Sequence, residues 1–374
     1  MALLLRAEEL KGLISIEEAI AAVETGFRDQ GEYPQFSLPR QRMMAGDRRI
    51  NIHSGGCVNL SVAGTFVHYE RHRYTKEDQS YGAAGKRVYM AYDSETAKLL
   101  TIIVGSLPLY DFDDNDIATE TAITSAVGTK HLARQDCRVM GLYGTGRQAR
   151  RHLKVMCALR PIETVKVFSR SADHRRAFCA LMQPHIDAEI IPIDNPRAVA
   201  TGADLVVCAT GSNVPVLFGD WLEPGAHVTS IVGSNKELLA EGLVTKPRRE
   251  LDDEVLARAD VIVATLKQQG IQDDQGDLVE PIQNGIIKWD DVKELAQLVA
   301  RKVTGRTGER QITLFKQNSD QGVGFMALAR LAHDKARASP ESGWRFSWTR
   351  LKSLNRSTRS SGSSRLPKTF PMPR

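Results

Sequence analysis

The sequence has no long hydrophobic run and no paired cysteines, and these absences exclude several classes of protein. No apolar stretch approaches the roughly 20 residues that a transmembrane helix needs. The N-terminus also lacks the basic segment, apolar core and cleavage site of a secretory signal. The five cysteines (Cys57, Cys137, Cys157, Cys179, Cys208) are scattered without a C-x-x-C pair. This usage argues against a disulfide framework and a structural zinc site, so we expect a cytoplasmic protein without membrane contact.

A net positive charge is also missing from most of the chain, although the formal net charge of the whole chain is +5. From residue 341 onward there are eight Lys or Arg and one acidic residue, a local balance of +7, so the first 340 residues carry −2. The basic stretch 339–374 is rich in Ser, Arg and Pro with little periodicity, which predicts a disordered tail. Because the rest of the chain is not basic, nucleic acid is not an expected partner.

The middle of the chain alternates short β-type runs with helical patterns, and 374 residues suggest two domains. Six runs rich in Val and Ile occupy residues 138–143, 164–169, 188–193, 203–210, 227–232 and 259–265. They are too continuously apolar for a sheet with one solvated face, so we expect them to be buried on both faces. Strand–helix alternation with right-handed crossovers predicts an α/β fold with a Rossmann-type doubly wound parallel sheet.

The sequence before this region has a different pattern. Ser15 followed by Glu18 forms a capping box, which predicts a helix over residues 15–30 with one apolar face. Mixed strands and turns follow, including a hairpin turn at "DSET" (93–96). A second amphipathic helix is predicted at 120–134, directly before the parallel sheet, and a short helix returns at 328–336.

The stretch "GTGRQA" (144–149) is a G-x-G-x-x-A turn placed between a predicted strand and a predicted helix. Gly144 permits the tight turn, Gly146 lets the backbone approach a pyrophosphate, and Ala149 is small enough for the helix to pack against the sheet. The helix N-terminus offers N–H groups and a positive dipole end to the phosphates. This context predicts dinucleotide binding rather than a structural turn.

The end of the second strand indicates which nicotinamide cofactor binds. An NAD site usually presents Asp or Glu there to the ribose hydroxyls, whereas this chain has Ser169, Arg170 and Ser171, followed by Arg175 and Arg176. Hydroxyl and guanidinium groups suit a 2′-phosphate, so NADP(H) is favoured, with NAD(H) as the alternative. In the other interpretation these arginines only form the solvated start of a helix.

Taken in order, these pieces resemble the ornithine cyclodeaminase/μ-crystallin family. The matching segments are "YDSETAKLL" (92–100), "TAITSAVGTKHLAR" (121–134), "GLYGTGRQA", "VFSRS", "VVCAT", "SIVGSN", "RRELDDEVLARADVIV" and "ITLFKQ". The resemblance covers about residues 1–337. It implies a Rossmann domain at 120–317 and a discontinuous α+β substrate and dimerisation domain formed by 1–119 with 318–338, and hence a homodimer. Family members oxidise amino acids to imines, reduce imines, or bind small ligands without known turnover.

The resemblance also assigns residues to the reaction, which moves hydride between nicotinamide C4 and a carbon that bears nitrogen. Such chemistry needs a cation for the substrate carboxylate and a general acid/base for the proton on nitrogen. The family arginine that holds the carboxylate matches Arg40 or Arg42. Three other family positions are changed: Thr65 or Phe66 replaces a lysine, Glu120 an arginine, and Asn235 an aspartate. These changes weigh against ornithine cyclisation, which needs an anchored carboxylate and a protonated leaving ammonia.

Glu120 reverses a charge near the expected nicotinamide site, and three interpretations stay open. It can bind a cationic amine, pair with Lys86 or Arg87 of the adjoining hairpin, or stabilise a helix N-terminus, where an acid is favourable. Lys86 can replace the missing lysine or be a solvated strand residue.

Further residues near the cofactor are expected in the matched pieces. Lys316 matches the lysine of the family's F-K-S segment and is expected beside the cofactor. The predicted cofactor-binding set is Gly144, Thr145, Gly146, Gln148, Ala149, Ser169, Arg170, Ser171, Thr210, Gly233, Ser234 and Lys316.

The segment "HYERH" (68–72) raises a different possibility. His68 and His72 have the spacing that lets a helix bind zinc, but no third ligand is near them in the sequence, and no metal site is predicted. Because this region borders the substrate pocket in the family, His68, Tyr69 or His72 can act as the acid/base. The alternative is that they are plain surface or core residues.

Together these observations predict an NAD(P)(H)-dependent oxidoreductase that acts on the C–N bond of a small-molecule substrate, by reducing an imine or oxidising an amino acid. Arg40, Arg42, Glu120, Lys86 and Asn235 are the candidate catalytic-site residues. Two alternatives stay open. One is an ornithine cyclodeaminase, which converts L-ornithine to L-proline and ammonia; the other is a protein that binds NADPH and a small ligand without turnover.

Overall fold

The computed structural model describes residues 2–45, 48–75, 80–85, 87–108, 119–234, 236–242, 245–319, 321–339 and 344–346, with the backbone alone at 72–75, 80–84, 238 and 344–346. The strands are β1 (Ala2–Arg6), β2 (Gln41–Ala45), β3 (Arg48–Cys57), β4 (Val62–Thr75), β5 (Ser80–Ala84), β6 (Arg87–Asp93), β7 (Leu99–Val104), β8 (Val139–Tyr143), β9 (Thr164–Phe168), β10 (Glu189–Pro192), β11 (Leu205–Cys208), β12 (His227–Ser230), β13 (Val261–Ala264), β14 (Val292–Glu294), β15 (Thr313–Lys316) and β16 (Trp344–Phe346). The helices are α1 (Ile16–Glu32), α2 (Glu120–Leu132), α3 (Arg147–Leu159), α4 (Ala172–Met182), α5 (Pro196–Ala200), α6 (Lys236–Ala240), α7 (Asp253–Arg258), α8 (Lys267–Gln272), α9 (Gly276–Gln283), α10 (Leu295–Val299) and α11 (Gly322–Ala338).

The second half of the chain forms an eight-stranded sheet with the order β10-β9-β8-β11-β12-β15-β13-β14, in which all paired neighbours are parallel. The six strands predicted from the sequence are present in it, so the Rossmann-type parallel sheet is confirmed. Two strands, β14 and β15, were not predicted. Strand β14 has three residues, of which Lys293 and Glu294 are charged, so no apolar run marks it in the sequence.

Helices cover both faces of this sheet, as its continuously apolar strands require. On one face α3 and α4 contribute Leu153 and Phe178 to a buried cluster. On the other face α5, α7 and α9 contribute Val199, Leu256 and Leu278 to a second cluster. Burying each such side chain stabilises the fold by about 1.5–3 kcal/mol, so the sheet is a stable support for the loops at its edges.

The first sheet has the order β16-β1-β7-β6-β4-β3-β2, with β5 added to β4. Its strand pairs are antiparallel except for β1 with β7. Side chains alternate between its two faces: in β6 Tyr89 and Ala91 are buried, whereas Met90 and Tyr92 are exposed. We call the side covered by α11, to which Tyr89 belongs, the inner face, and the opposite side the outer face.

Helix α1 begins as the sequence predicts. The Ser15 hydroxyl accepts a hydrogen bond from the Glu18 N–H (3.2 Å), and the Glu18 carboxylate accepts one from the Ser15 N–H (3.0 Å). This capping box satisfies two N–H groups that have no partner inside the helix. The predicted turn at 93–96 is also present, because the Asp93 carboxylate accepts from the N–H of Thr96 at 2.7 Å.

Two predicted helices differ from expectation. Helix α2 is buried on nearly every side, not amphipathic, because it lies between the two sheets and contacts α1, α3 and α11. Helix α11 starts at Gly322, six residues before its predicted start at 328. Glycine is a weak helix former, but a Cβ at Gly322 would overlap the Ser54 backbone, and one at Gly55 would lie 2.6 Å from the Val323 nitrogen. The close approach of α11 to β3 therefore requires glycine at these positions. Glycine at the start of α11 in turn weakens the sequence signal for a helix there.

The domain boundaries stay a prediction. One hydrophobic cluster joins the first sheet, α1, α2 and α11 to Val261 and Phe315 of the parallel sheet. Within the predicted tail, residues 344–346 form β16, whose backbone pairs antiparallel with β1, while 340–343 and 347–374 lie outside the described residues. None of the helices described is both long enough and apolar enough to cross a membrane.

Candidate active site

The glycine turn lies between β8 and α3, as the motif requires. Gly144 has a φ of +113°, and a Cβ there would overlap the carbonyl oxygen of Ala209. Gly146 is the N-cap of α3, and a Cβ built on it would have no atom within 4 Å. Ala149 is fully buried against the sheet. The turn is therefore tight on its protein side and open where a phosphate would approach the N–H groups of α3.

Loops from neighbouring strands extend this open space into a groove. Strands β8, β11 and β12 are adjacent, with Cys208 opposite both Tyr143 and Ser230, so the loops after them meet at one edge of the sheet. Like Gly146, Gly211 and Gly233 would place a Cβ with no atom within 4 Å. Each of the three loops thus has a glycine that leaves open space at the carboxyl edge of the sheet. This surface fits an extended dinucleotide.

Lys316 lies beneath this groove rather than in it. Its ammonium group is fully buried and donates to Ser230 Oγ (2.9 Å), the Val232 carbonyl (2.9 Å) and Asp277 Oδ2 (2.7 Å). An ammonium has three N–H donors, and all three are used. The expectation that Lys316 sits beside the cofactor is therefore not met in this conformation. Its contacts instead hold the loop after β12 from below.

Glu250 is the residue of this region that sequence reasoning missed. Its carboxylate accepts from the Thr210 N–H (2.5 Å), the Thr210 hydroxyl (2.8 Å) and the Val232 N–H (2.9 Å). Complete burial raises the pKa of Glu250, and the Lys316 charge opposes that rise without cancelling it. Glu250 thus joins the loops after β11 and β12 to each other. The only signal for it in the sequence is an acid inside the matched segment "RRELDD".

The residues predicted to select the cofactor have separate roles at the end of β9. The Ser169 hydroxyl donates to the Ser171 carbonyl (3.2 Å), and the Ser171 side chain caps the first turn of α4. Arg175 is buried, donates to the Ser169 carbonyl (2.5 Å) and pairs with Asp194. Arg170 is exposed and has no ion pair among the described residues. Of these arginines, Arg170 is the one that can meet a ligand.

The two candidate carboxylate-binding arginines reach across to the loops of the parallel sheet. Arg42 donates to Asn51 Oδ1 (3.0 Å) and pairs with Glu237 of α6. Arg40 pairs with Asp273, the C-cap residue of α8. Burial tends to raise the pKa of Glu237, but the adjacent Arg42 charge outweighs it and the pKa is lowered. Both arginines are therefore held in place by acids from the other side of the cleft.

The same cleft contains the loop after β12. The Ser234 hydroxyl donates to the backbone carbonyl of Asp273, the residue that pairs with Arg40. Gln275 donates to the Val232 carbonyl at 3.0 Å. The structure thus brings the predicted residues Gly233 and Ser234 next to the predicted arginines. Thr145 and Gln148, which flank the glycine turn, are half-buried.

Polar side chains form a row across the inner face of the first sheet. Arg42 is opposite Asn51, Asn51 is opposite His68, and His68 is opposite Arg87, on strands β2, β3, β4 and β6. In the next row His53 is opposite Phe66. The row puts an imidazole on the same surface as the carboxylate-binding arginine.

His68 is also part of a contact chain along this surface. His68 Nε2 lies 3.4 Å from His53 Nε2, and His68 Nδ1 lies 3.0 Å from Glu70 Oε1. Arg49 donates to Glu70 Oε2 through Nε (3.0 Å) and a terminal nitrogen (2.5 Å). Burial would raise the pKa of Glu70, but His68 and Arg49 hold it well below its usual range. Of the other two acid/base candidates, Tyr69 points to the outer face and the His72 side chain lies outside the described residues.

Comparison with known proteins agrees with this architecture. A sequence model of the ornithine cyclodeaminase/mu-crystallin family matches residues 97–339. The chain belongs to this family. It is 35% identical over 226 residues to an uncharacterized cyclodeaminase of Sinorhizobium fredii, a match that covers 60% of this chain and 64% of that protein, less than two thirds of its length.

Two further family relatives are reductases. A Delta(1)-pyrroline-2-carboxylate reductase of Bacillus cereus is 27% identical over 250 residues, covering 67% of this chain and 70% of that protein. The structure of Thermococcus litoralis Delta(1)-pyrroline-2-carboxylate reductase in complex with NADH and L-proline superposes with a TM-score of 0.75 and 25% identity. That superposition covers 92% of this chain and 100% of the other.

The two residues that match the family lysine lie on opposite faces of β4. Phe66 is buried on the inner face, and its ring stacks on Phe325 of α11 with centroids 3.9 Å apart. Thr65, one residue earlier, belongs to the outer face because side chains alternate along a strand. Which of the two corresponds to the lysine stays a prediction, and neither supplies an ammonium group.

Glu120 is fully buried in the first turn of α2. Its carboxylate accepts from the Thr124 hydroxyl (2.6 Å), and a Cβ on Gly324 of α11 would lie 2.5 Å from it. Glu120 thus lies in the first turn of α2, where an acid is favourable, and the choice among its three interpretations stays a prediction. Lys86 and Asn235 lie outside the described residues, so their predicted roles stay predictions.

Proposed function

We propose that this protein is an NADP(H)-dependent oxidoreductase that acts on C–N bonds, reducing a small α-imino acid or oxidising the corresponding amino acid. One observation carries the proposal: a glycine-lined groove adjoins a pair of arginines. The groove follows β8, β11 and β12, and Ser234 and Asp273 connect its last loop to Arg40. When bound there, the cofactor would supply or accept the hydride, while the arginines hold the substrate.

The arginines support a substrate that carries a carboxylate. Arg40 and Arg42 pair with Asp273 and Glu237. Because a guanidinium has five N–H donors in a planar fork, each can keep its acidic partner and bind a second carboxylate. Relatives named Delta(1)-pyrroline-2-carboxylate reductases act, by that name, on a cyclic imino acid. A substrate of this class meets the requirements of the site.

The end of β9 supports NADP(H) over NAD(H). No acid stands at positions 169–171 to accept from ribose hydroxyls. Exposed Arg170 is placed to form a charge-assisted hydrogen bond with a 2′-phosphate. The buried Arg175 supports the loop through Ser169 and Asp194 and contributes no direct contact.

The outer face of the first sheet supports a homodimer. Apolar side chains on it are exposed on neighbouring strands, namely Leu4, Met43, Tyr69, Met90, Tyr92 and Val104. Contiguous exposed apolar surface of this kind marks interfaces between proteins. Light scattering coupled to size-exclusion chromatography checks this, and the mass of one chain at micromolar concentration would reject it. All five cysteines are unpaired thiols, which suits the reducing cytoplasm as the proposed location.

The proposed function is tested by following NADPH absorbance at 340 nm with purified protein and a panel of cyclic imino acids and of keto acids mixed with amines. Oxidation of NADPH that depends on the imine supports the proposal. Ammonia released from L-ornithine would instead identify a cyclodeaminase. Tight NADPH binding without turnover on any compound would favour a ligand-binding protein, and a failure to bind either nicotinamide cofactor would reject all three.

A further inference from the structure

Reduction of an imine requires a proton donor at nitrogen, and the usual family groups are absent. The lysine position on β4 is Thr65 or Phe66, and the family aspartate corresponds to Asn235. Among the described inner-face residues, His53 and His68 are the groups whose ordinary titration range includes neutral pH. Of the two, His68 is in the row that begins at Arg42.

We infer that His68 is the general acid/base of this active site and that Glu70 and Arg49 are its positioning residues. The inference rests on the proposed function and names a residue for its proton transfer. Adjacent strands lie about 4.8 Å apart, so a small imino acid held by Arg42 extends over Asn51 toward His68. The imine nitrogen, next to the carbon that bears the carboxylate, then approaches Nε2 of His68, and this nitrogen exchanges its 3.4 Å contact with His53 for the substrate.

Glu70 places a buried negative charge beside the imidazole of His68. One of its oxygens lies 3.0 Å from Nδ1 of His68, and the other takes two hydrogen bonds from Arg49. The ionised carboxylate stabilises imidazolium by its charge. The other charged or titratable groups near this surface are His53 on β3, Arg87 and Tyr89 on β6, Arg42 on β2, Glu237 of α6 and Arg248, while α11 contributes the apolar Phe325.

The proton step balances without any additional reactant. In the reducing direction imidazolium would donate its proton to the imine nitrogen while bound NADPH would supply the hydride to carbon and become NADP+, so C=N becomes CH–NH. Neutral His68 then regains a proton through His53, 3.4 Å away, or from solvent. In the oxidising direction the neutral imidazole accepts the proton from the amine nitrogen.

The test compares His68→Gln and Glu70→Gln with Arg71→Gln, a control at an exposed outer-face position of the same strand. General acid/base catalysis contributes about 100- to 10,000-fold, so we expect His68→Gln to lower kcat by at least about 100-fold. Its melting temperature and its affinity for pyrrole-2-carboxylate, a planar carboxylate analogue, should change little. Arg71→Gln should keep wild-type kcat.

Glu70→Gln gives a readout that a merely structural role would not move. Losing the carboxylate charge disfavours imidazolium, so the alkaline limb of the kcat/KM profile for reduction should shift to lower pH. NMR titration of the histidine C2–H resonances should show the same shift without any turnover. A His68→Gln enzyme with wild-type kcat, or an unshifted profile and titration in Glu70→Gln, overturns this inference while the proposed function stands. A wild-type protein that reduces no imine overturns both.

Discussion

The two sides of the proposed active-site cleft are built in different ways. The proposed cofactor side is backbone: Gly146, Gly211 and Gly233 leave open space at the ends of adjacent parallel strands. The proposed substrate side consists of side chains such as Arg42 and His68, brought together by the register of antiparallel strands. A backbone groove can be recognised from one short motif, whereas a surface of side chains depends on how distant segments pair. The difference suggests that cofactor binding and substrate choice can be altered separately.

The largest effect on cofactor binding alone is expected from a side chain that fills the cofactor groove. Gly146 has an extended backbone that any residue adopts and open space around its Cβ position, so Gly146→Val should fold normally. Its side chain would occupy the path of the pyrophosphate, and we expect NADPH affinity to fall at least about 100-fold. Fluorescence titration with NADPH measures this. Gly308→Val, whose Cβ would contact only the Gln311 side chain at 3.7 Å and which lies before β15 at the opposite edge, is the control and should bind as wild type.

A smaller effect, confined to the substrate, is expected at Arg42. A charge-assisted hydrogen bond contributes about 1.5–3 kcal/mol, so Arg42→Gln should raise KM for the imino acid about 10- to 100-fold. The Kd for NADPH should stay within twofold of the wild-type value. The neighbouring variant Glu237→Gln should raise KM by a smaller factor, because Arg42 loses the acid that holds its guanidinium in place.

Arg48→Gln, on the exposed end of the same hairpin, controls for general loss of charge. Equal increases in KM for Arg48→Gln and Arg42→Gln would mean that Arg42 has no specific role in holding the carboxylate.

The smallest effect is expected at the far end of the cofactor groove. Arg170→Ala should weaken NADPH binding about 10-fold, the loss of one guanidinium–phosphate contact, and leave NADH binding unchanged. Arg176→Ala removes a similarly exposed arginine that pairs with Asp173 at 2.5 Å and should change neither affinity. A preference for NADH in the wild-type protein would contradict the assignment of Arg170.

The features that the sequence predicts well are local ones, like the glycine turn of the cofactor groove. The capping box at Ser15, the strand at 139–143 and the turn at Gly144 are local patterns, and each is present where the spacing indicates. Local patterns succeed because their physical causes lie within a few residues of each other. The family resemblance added Arg40 and Arg42, but their acidic partners come from more than 190 residues away.

Long-range packing accounts for what could not be predicted. Lys316 was expected beside the cofactor because it matches the lysine of the family's F-K-S segment, and the sequence gives no sign of the buried Ser230 and Asp277 that bind its ammonium group. Glu250 had no local sign of its role, since its partners belong to loops around positions 210 and 231. The start of α11 was predicted six residues too late, because the packing that requires glycine there involves β3, which is distant in the sequence.

Helix α11 closes the inner face from the other end of the chain. Its Arg330 donates to the carbonyls of Leu60 and Ser61, 270 and 269 residues earlier. During synthesis the last strand of the parallel sheet, β15, is complete at residue 316, whereas the first sheet lacks its covering helix until residues 322–338 have left the ribosome. The nascent chain is therefore able to complete the sheet that carries the proposed cofactor groove before α11 covers the inner face, where we propose that the substrate binds.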